Sequence, residues 1–122
     1  MSRPDFDLLV ILTQPPLAGT AAKEGLDTAL VSATFEQKTA LAFLGEGVLQ
    51  LVKGQQPDQL QLKGIQSMLK ALPFYDLQAV YTDALALQQF SLSSDQLLLK
   101  NQPATAEQLQ QLIAKTTNTL VF

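Results

Sequence analysis

The chain has 122 residues, a net charge of -3, an apolar fraction of 47% and only 16% charged residues. Its eight lysines and arginines stand apart rather than in a basic stripe, which argues against direct nucleic-acid binding, and no apolar run is long enough to span a membrane. Cysteine and histidine are both absent, which excludes disulfides, thiol redox chemistry, cysteine–histidine zinc sites and a Ser-His-Asp triad.

These properties predict a single cytoplasmic domain that covers residues 1–122. A domain of this size buries roughly two thirds of the surface that its unfolded chain exposes. Typical soluble domains have about 25% charged residues, so this chain is short of charge. Because monomers rarely expose large apolar patches, we expect other subunits to cover part of its surface.

The first half of the chain alternates between strand and helix patterns. A near-continuous apolar run at Phe6–Leu12 predicts a strand buried on both faces of a parallel sheet. Two prolines make Thr13–Gly19 a loop, and helical spacing of apolar residues predicts a helix over Thr20–Thr34. Thr39–Leu44 is the predicted second strand, and Val48–Lys53 is a predicted short helix closed by a glycine.

The second half continues the alternation. Apolar residues from Leu62 to Leu72 predict a longer helix that ends at Pro73. The remaining predicted elements are a third strand at Leu77–Thr82, a helix at Ala84–Gln89, a fourth strand at Gln96–Lys100, a helix with a capping box at Thr105 and Gln108, and a final strand at Thr119–Phe122. The expected fold is therefore α/β and flavodoxin-like, with a mostly parallel sheet of about five strands and helices on both faces.

Loops at the carboxyl ends of such strands carry the binding surfaces of these sheets. The second strand ends in Gly45-Glu46-Gly47, where Glu46 fits either a general base or a carboxylate held near a helix amino end. The third strand ends at Asp83. Asp83 has the place of a phospho-acceptor aspartate but no acidic partner after the first strand, and a metal ion needs several converging oxygens. The alternative for Asp83 is a helix cap.

Apolar residues after the Gly45–Gly47 turn exceed what one side of a six-residue helix can bury. Val48, Leu49, Leu51 and Val52 therefore predict either a subunit interface or core packing. Phe74 and Tyr75, which follow Pro73, fit either a contact surface or a plug at the sheet edge. The interface candidates are thus these six residues together with Glu46.

The Thr13–Gly19 loop lies where phosphate-binding loops sit in related folds. It contains neither GxGxxG nor GxxxxGK[ST], and its prolines remove N–H donors. A plain connecting loop is the main interpretation. A small-ligand or flavin-binding protein that uses Thr13–Gly19 and Gly45–Gly47 is the alternative function.

Four segments in order resemble the TusC/DsrF-like subunits of the bacterial sulfur-relay complex, within the DsrE/DsrF-like family. They are Gly19–Asp27, which matches a first-helix segment, Gly45–Leu51, which matches a second-strand turn, Gly54–Asp58 and Leu72–Asp76. Beyond Ala84 the resemblance depends mainly on the order of strands and helices.

The resemblance implies a heterohexamer with TusB-like and TusD-like partners, two copies of each subunit. That complex passes persulfide sulfur toward the enzyme that makes 2-thiouridine at the tRNA wobble position. The TusD-like subunit carries its cysteine just after its third strand, a place that Asp83 takes in this chain. Because a persulfide relay needs a thiolate, the resemblance implies a non-catalytic, architectural subunit without a cofactor.

Overall fold

Five parallel strands form one sheet in the order β4-β3-β2-β1-β5 in the computed structural model, which describes residues 4–54 and 60–122. The elements are β1 (Phe6–Leu12), α1 (Ala21–Thr34), β2 (Thr39–Phe43), α2 (Leu60–Ala71), β3 (Ala79–Asp83), α3 (Ala84–Gln89), β4 (Gln102–Ala104), α4 (Ala106–Ala114) and β5 (Thr116–Val121). Three short 3-10 helices cover Gly45–Leu51, Leu72–Tyr75 and Ser94–Gln96. The α/β prediction with a five-stranded parallel sheet is confirmed.

The apolar run of β1 is central because it pairs with β2 on one side and β5 on the other. The larger core cluster lies on one face, where Val10 and Phe43 meet Leu26 of α1 and Leu69 of α2. On the opposite face Leu112 of α4 packs against small and branched residues of β1 and β2. Helices thus cover both faces, and no helix in the described part of the chain is long and apolar enough to cross a bilayer.

Several predicted elements end where local chemistry dictates. The α2 helix passes into the Leu72–Tyr75 3-10 helix, which contains Pro73 in its first turn. The Thr105 hydroxyl accepts from the Gln108 N–H, and the Gln108 side chain accepts from the Thr105 N–H, so the predicted capping box is confirmed. The segment at residues 55–58, which contributes to the family resemblance, lies outside the described residues.

The fourth strand was predicted at the wrong place. Gln96 is the last residue of the 3-10 helix Ser94–Gln96, and the strand that joins the sheet is Gln102–Ala104. Leu97 forms an antiparallel bridge with Val52, and the Leu98 N–H donates to the Leu51 carbonyl at 2.7 Å. The segment has the extended, apolar pattern of a strand, but its backbone pairs with Leu51 and Val52 rather than with a strand of the sheet.

Boundaries of the other strands shift by a few residues. The third strand starts at Ala79 rather than Leu77 and includes Asp83, and the last strand is Thr116–Val121 rather than Thr119–Phe122. The predicted helix at Val48–Lys53 is the 3-10 helix Gly45–Leu51. These shifts leave the topology unchanged, but the 3-10 geometry alters which side chains face the core.

Candidate functional site

The ends of β1, β2 and β3 meet at one edge of the sheet, which we call the carboxyl edge and define by Thr13, the Gly45–Gly47 turn and Asp83. The Leu44 N–H donates to the Leu12 carbonyl at 3.0 Å, so β2 stays attached to β1 as it leaves the sheet. A Cβ on Gly47 would lie 2.1 Å from that same carbonyl oxygen. Only glycine allows the turn to approach the β1 end so closely.

Asp83 connects the turn to α3. One carboxylate oxygen accepts from the Leu85 and Ala86 N–H groups at 3.1 and 3.2 Å, and the other accepts from the Gly45 N–H at 3.0 Å. Gly45 itself has φ of +55°, a left-handed conformation that favours glycine. The helix-cap interpretation of Asp83 is confirmed, and the same carboxylate also fixes the start of the Gly45–Gly47 turn.

Gln50 is a buried polar residue that the sequence reasoning missed. Its side chain is 3% exposed, and its Nε2 donates to the Gln14 carbonyl at 3.1 Å. Its Oε1 has no hydrogen-bond partner among the described residues. Gln50 therefore ties the loop after β1 to the 3-10 helix, a role that no local pattern signals because 36 residues separate the partners.

Val48, Leu49 and Leu51 lie in the 3-10 helix Gly45–Leu51, and Val52 follows it directly. A 3-10 helix has three residues per turn, so residues i and i+3 lie on the same side. Val48 and Leu51 are each 0% exposed and belong to the larger core cluster, which corrects their place among the interface candidates. Leu49 lies outside this row of Val48 and Leu51 and is half-buried. Val52 follows the helix with an extended backbone, is half-buried and packs against the same core cluster.

The remaining interface candidates lie at two ends of the sheet. Glu46 is exposed at the carboxyl edge. Phe74 is 88% exposed and Tyr75 48% exposed, and both lie in the 3-10 helix that precedes β3, at the opposite end. Candidate contacts therefore do not form one patch, and an exposed Leu85 at the start of α3 adds an apolar side chain next to Asp83.

The chemistry available at the carboxyl edge comes from backbone groups, carboxylates, amides and the Thr13 hydroxyl, which donates to the Phe122 carbonyl at 2.9 Å. Cysteine and histidine are absent from the chain, and the described residues contain no cluster of carboxylates that could hold a metal ion. Asp83 has both oxygens occupied by backbone donors. This arrangement holds the loops of the carboxyl edge in position.

Comparison with known proteins identifies a matching family and similar sequences. The sequence model of the DsrE/DsrF-like family matches residues 7–122. A Pseudomonas aeruginosa protein named "Protein TusC homolog" is 34% identical over 108 residues, which are 88% of this chain and 91% of the relative. A Vibrio vulnificus protein of the same name is 30% identical over 115 residues, 94% of this chain and 98% of the relative.

A solved structure shares the fold. The crystal structure of the ychN protein from E. coli superposes with a TM-score of 0.82 at 18% sequence identity, covering 96% of this chain and 99% of the other. At that identity the likeness concerns the fold alone. It agrees with the parallel five-stranded sheet and its helices.

Proposed function

This chain belongs to the DsrE/DsrF-like family, and on that premise we propose that it is a non-catalytic subunit of a bacterial sulfur-relay complex. The complex passes persulfide sulfur toward the enzyme that forms 2-thiouridine at the wobble position of tRNA. Two relatives named "Protein TusC homolog" match this chain over most of their length, and they support this assignment.

The observation that carries the non-catalytic role is the chemistry at Asp83. In a relay step a cysteine thiolate attacks the outer sulfur of a persulfide, forms a new S–S bond and releases the donor as a thiolate. This chain has no cysteine, and its Asp83 carboxylate accepts three backbone hydrogen bonds. A partner subunit must therefore supply the reactive sulfur.

The proposed partners are TusB-like and TusD-like subunits, in a heterohexamer with two copies of each subunit. Support comes from the surface of this chain, which has few charges and several exposed apolar side chains. Phe74, Tyr75 and Leu85 are the large ones among the residues discussed above. The proposed contact residues are Phe74 and Tyr75, together with Glu46, Leu49 and Val52.

The small-ligand or flavin alternative has no comparable support. Three cavities in the described part of the chain lie elsewhere, and none of them is lined by the Thr13–Gly19 loop or the Gly45–Gly47 turn. A purified protein that is coloured, or that melts at a higher temperature with a flavin nucleotide, would favour that alternative over the relay.

Two measurements test the proposal. Deletion of the gene should abolish most 2-thiouridine in total tRNA, and the wild-type gene should restore it. The purified chain should take up no ³⁵S from a persulfide donor, whereas the complex co-purified with its TusB-like and TusD-like partners should take it up on a partner cysteine. Normal thiolation in the deletion strain, or sulfur transfer by the chain alone, would contradict the proposal.

A further inference from the structure

Strand β3 is covered along only part of its outer edge. It pairs with β2 from Ala79 to Thr82 but with β4 only from Tyr81 to Asp83. A cavity of about 410 Å³ lies beside the uncovered part. Its lining includes Leu77, Gln78, Val80, Leu99, Lys100 and Gln102, and we call this cavity the β3 notch.

The register shows which backbone groups face the notch. Pro103 of β4 has no N–H, so the ladder bonds to β3 use the Gln102 and Ala104 N–H groups, and Thr82, opposite Pro103, directs its N–H and C=O to β4. Alternate residues of a strand direct their backbone groups to the same side. The Val80 N–H therefore points to the notch, and so does the Gln78 C=O, because it lies opposite the Ala79 N–H across a trans peptide; no residue of β4 pairs with either group.

Within residues 4–54 and 60–122, no segment pairs with the outer edge of this part of β3. Residues that would extend β4 backward are held elsewhere, because Leu97 bridges Val52 and Leu98 bonds to Leu51. The Asn101 side chain accepts from the Thr82 hydroxyl at 2.9 Å and donates to the Leu99 carbonyl at 3.0 Å. These bonds fix the path of the segment before β4 away from the outer edge of β3.

The two uncovered edges near β4 differ in protection. Since Gln102 and Ala104 point to β3, Pro103 faces the outer edge of β4, where a proline blocks further strand addition. The Gln78–Val80 segment itself has neither a proline nor a lysine, and Pro73 and Lys100 lie in the lining of the notch beside it. Two more cavities adjoin it, one sharing Leu77, Gln78 and Ala79 and the other sharing Tyr81 and Gln102, so the notch is open toward both faces of the sheet.

The charge of the notch limits its occupant. Lys100 is the one charged residue in its lining, it is exposed, and it has no ion pair with a described residue. Its ammonium group puts one positive charge in the notch of a protein whose net charge is -3, and that single charge complements an acidic side chain. The apolar lining of the notch from Val80 and Leu99 suits the other residues of an extended segment.

We propose that the β3 notch binds an extended segment of a partner subunit that bears an acidic side chain, added as a strand beside Gln78–Val80. The inference depends on the proposed place of this chain in a relay complex. Backbone hydrogen bonds supply the attachment in such strand addition, and side-chain pockets supply the selectivity.

Hydrogen exchange followed by mass spectrometry tests the proposal on the full chain, alone and co-purified with its TusB-like and TusD-like partners. The amide of Val80 should exchange at least tenfold more slowly in the complex. Unchanged exchange in a complex that forms normally would overturn the notch proposal and leave the relay assignment standing. Failure of the three proteins to associate would overturn both the notch proposal and the relay assignment. Slow exchange in the chain alone at high concentration would identify a second copy of this chain as the occupant and would overturn the notch proposal.

Matched variants make the test specific. Gln78→Pro places a proline at the start of the uncovered edge, where it hinders strand addition, while the β2 ladder through Ala79 stays intact; Gln78→Ala introduces no such block. We expect Gln78→Pro to weaken binding of the partners about tenfold and Gln78→Ala less than twofold. If Gln78→Pro does not fold, partner binding is compared between Lys100→Glu and Lys70→Glu. Lys70 is an exposed lysine of α2 that lies outside the notch. Equal binding by both members of each pair would refute the proposal.

Discussion

Substitution of Gly47 by alanine tests whether the close approach at the carboxyl edge holds the fold together. The added Cβ would lie 2.1 Å from the Leu12 carbonyl oxygen and 2.9 Å from its carbon. Ordinary C···O contacts are about 3.3 Å, so the turn must retreat by roughly 1 Å. Both neighbours are backbone atoms of β1, which cannot rotate aside as a flexible side chain would.

The expected cost follows from what that retreat disturbs. Loss of the Leu44 N–H bond to Leu12 costs about 1 kcal/mol, and forced displacement of the packed Val48 and Leu51 costs about 1–3 kcal/mol. Gly47→Ala should therefore lower the free energy of unfolding by about 2–4 kcal/mol, out of a total of about 5–15 kcal/mol for a domain. The melting temperature should fall by about 8–16 °C.

Gly64→Ala is the matched control. Gly64 lies inside α2, and a Cβ there meets nothing within 4 Å, so alanine should stabilise the helix by about 0.5–1 kcal/mol. Urea unfolding followed by circular dichroism measures both variants, since the chain has no tryptophan. A Gly47→Ala protein as stable as the wild type would refute the argument from close approach.

Other substitutions should separate anchoring, packing and surface roles. Asp83→Ala should cost about 1–3 kcal/mol of unfolding free energy, because it removes a helix cap and a bond to the turn, and urea unfolding measures it. Leu51→Ala should cost about 2–5 kcal/mol as a core cavity, whereas Leu49→Ala should weaken assembly in sizing experiments more than it lowers the melting temperature. Hydrogen bonds from the Ser93 side chain and from the backbone, with a smaller effect of Lys53, lower the pKa of Asp95. The folded state therefore favours the charged form of Asp95, and any stabilisation from it is lost as pH falls through the lowered pKa. A carboxyl NMR titration should show the lowered pKa, and Ser93→Ala should bring it closer to its ordinary value.

Much of the fold was predictable because its signals are local. The apolar run of β1, the spacing of α1 and the capping box at Thr105 each depend on residues within a few positions of one another. The helix cap at Asp83 belongs to the same class. Local hydrogen bonds and periodicity decide such elements, so the sequence alone was enough for them.

Other features depended on distant contacts. The segment at Leu97 reads as a strand of the sheet, and only its bridge to Val52 shows that it pairs elsewhere. Four apolar residues after Gly47 fit core or interface equally until the 3-10 geometry puts Val48 and Leu51 on the buried row. The bond from Gly45 to Asp83 joins residues 38 positions apart, so no local pattern could indicate it.

The two ends of β3 place different demands on a partner. At Asp83 both carboxylate oxygens already accept hydrogen bonds from this chain, so a partner can cover that end without leaving a carboxylate oxygen without a hydrogen bond. At Val80 and Gln78 the outward backbone groups lack a strand beside them. Covering them with a helix or with apolar side chains would bury unpaired groups at about 1–3 kcal/mol each. A partner that covers this end must therefore bring hydrogen-bonding groups of its own, and an extended segment brings backbone groups at the spacing of a strand.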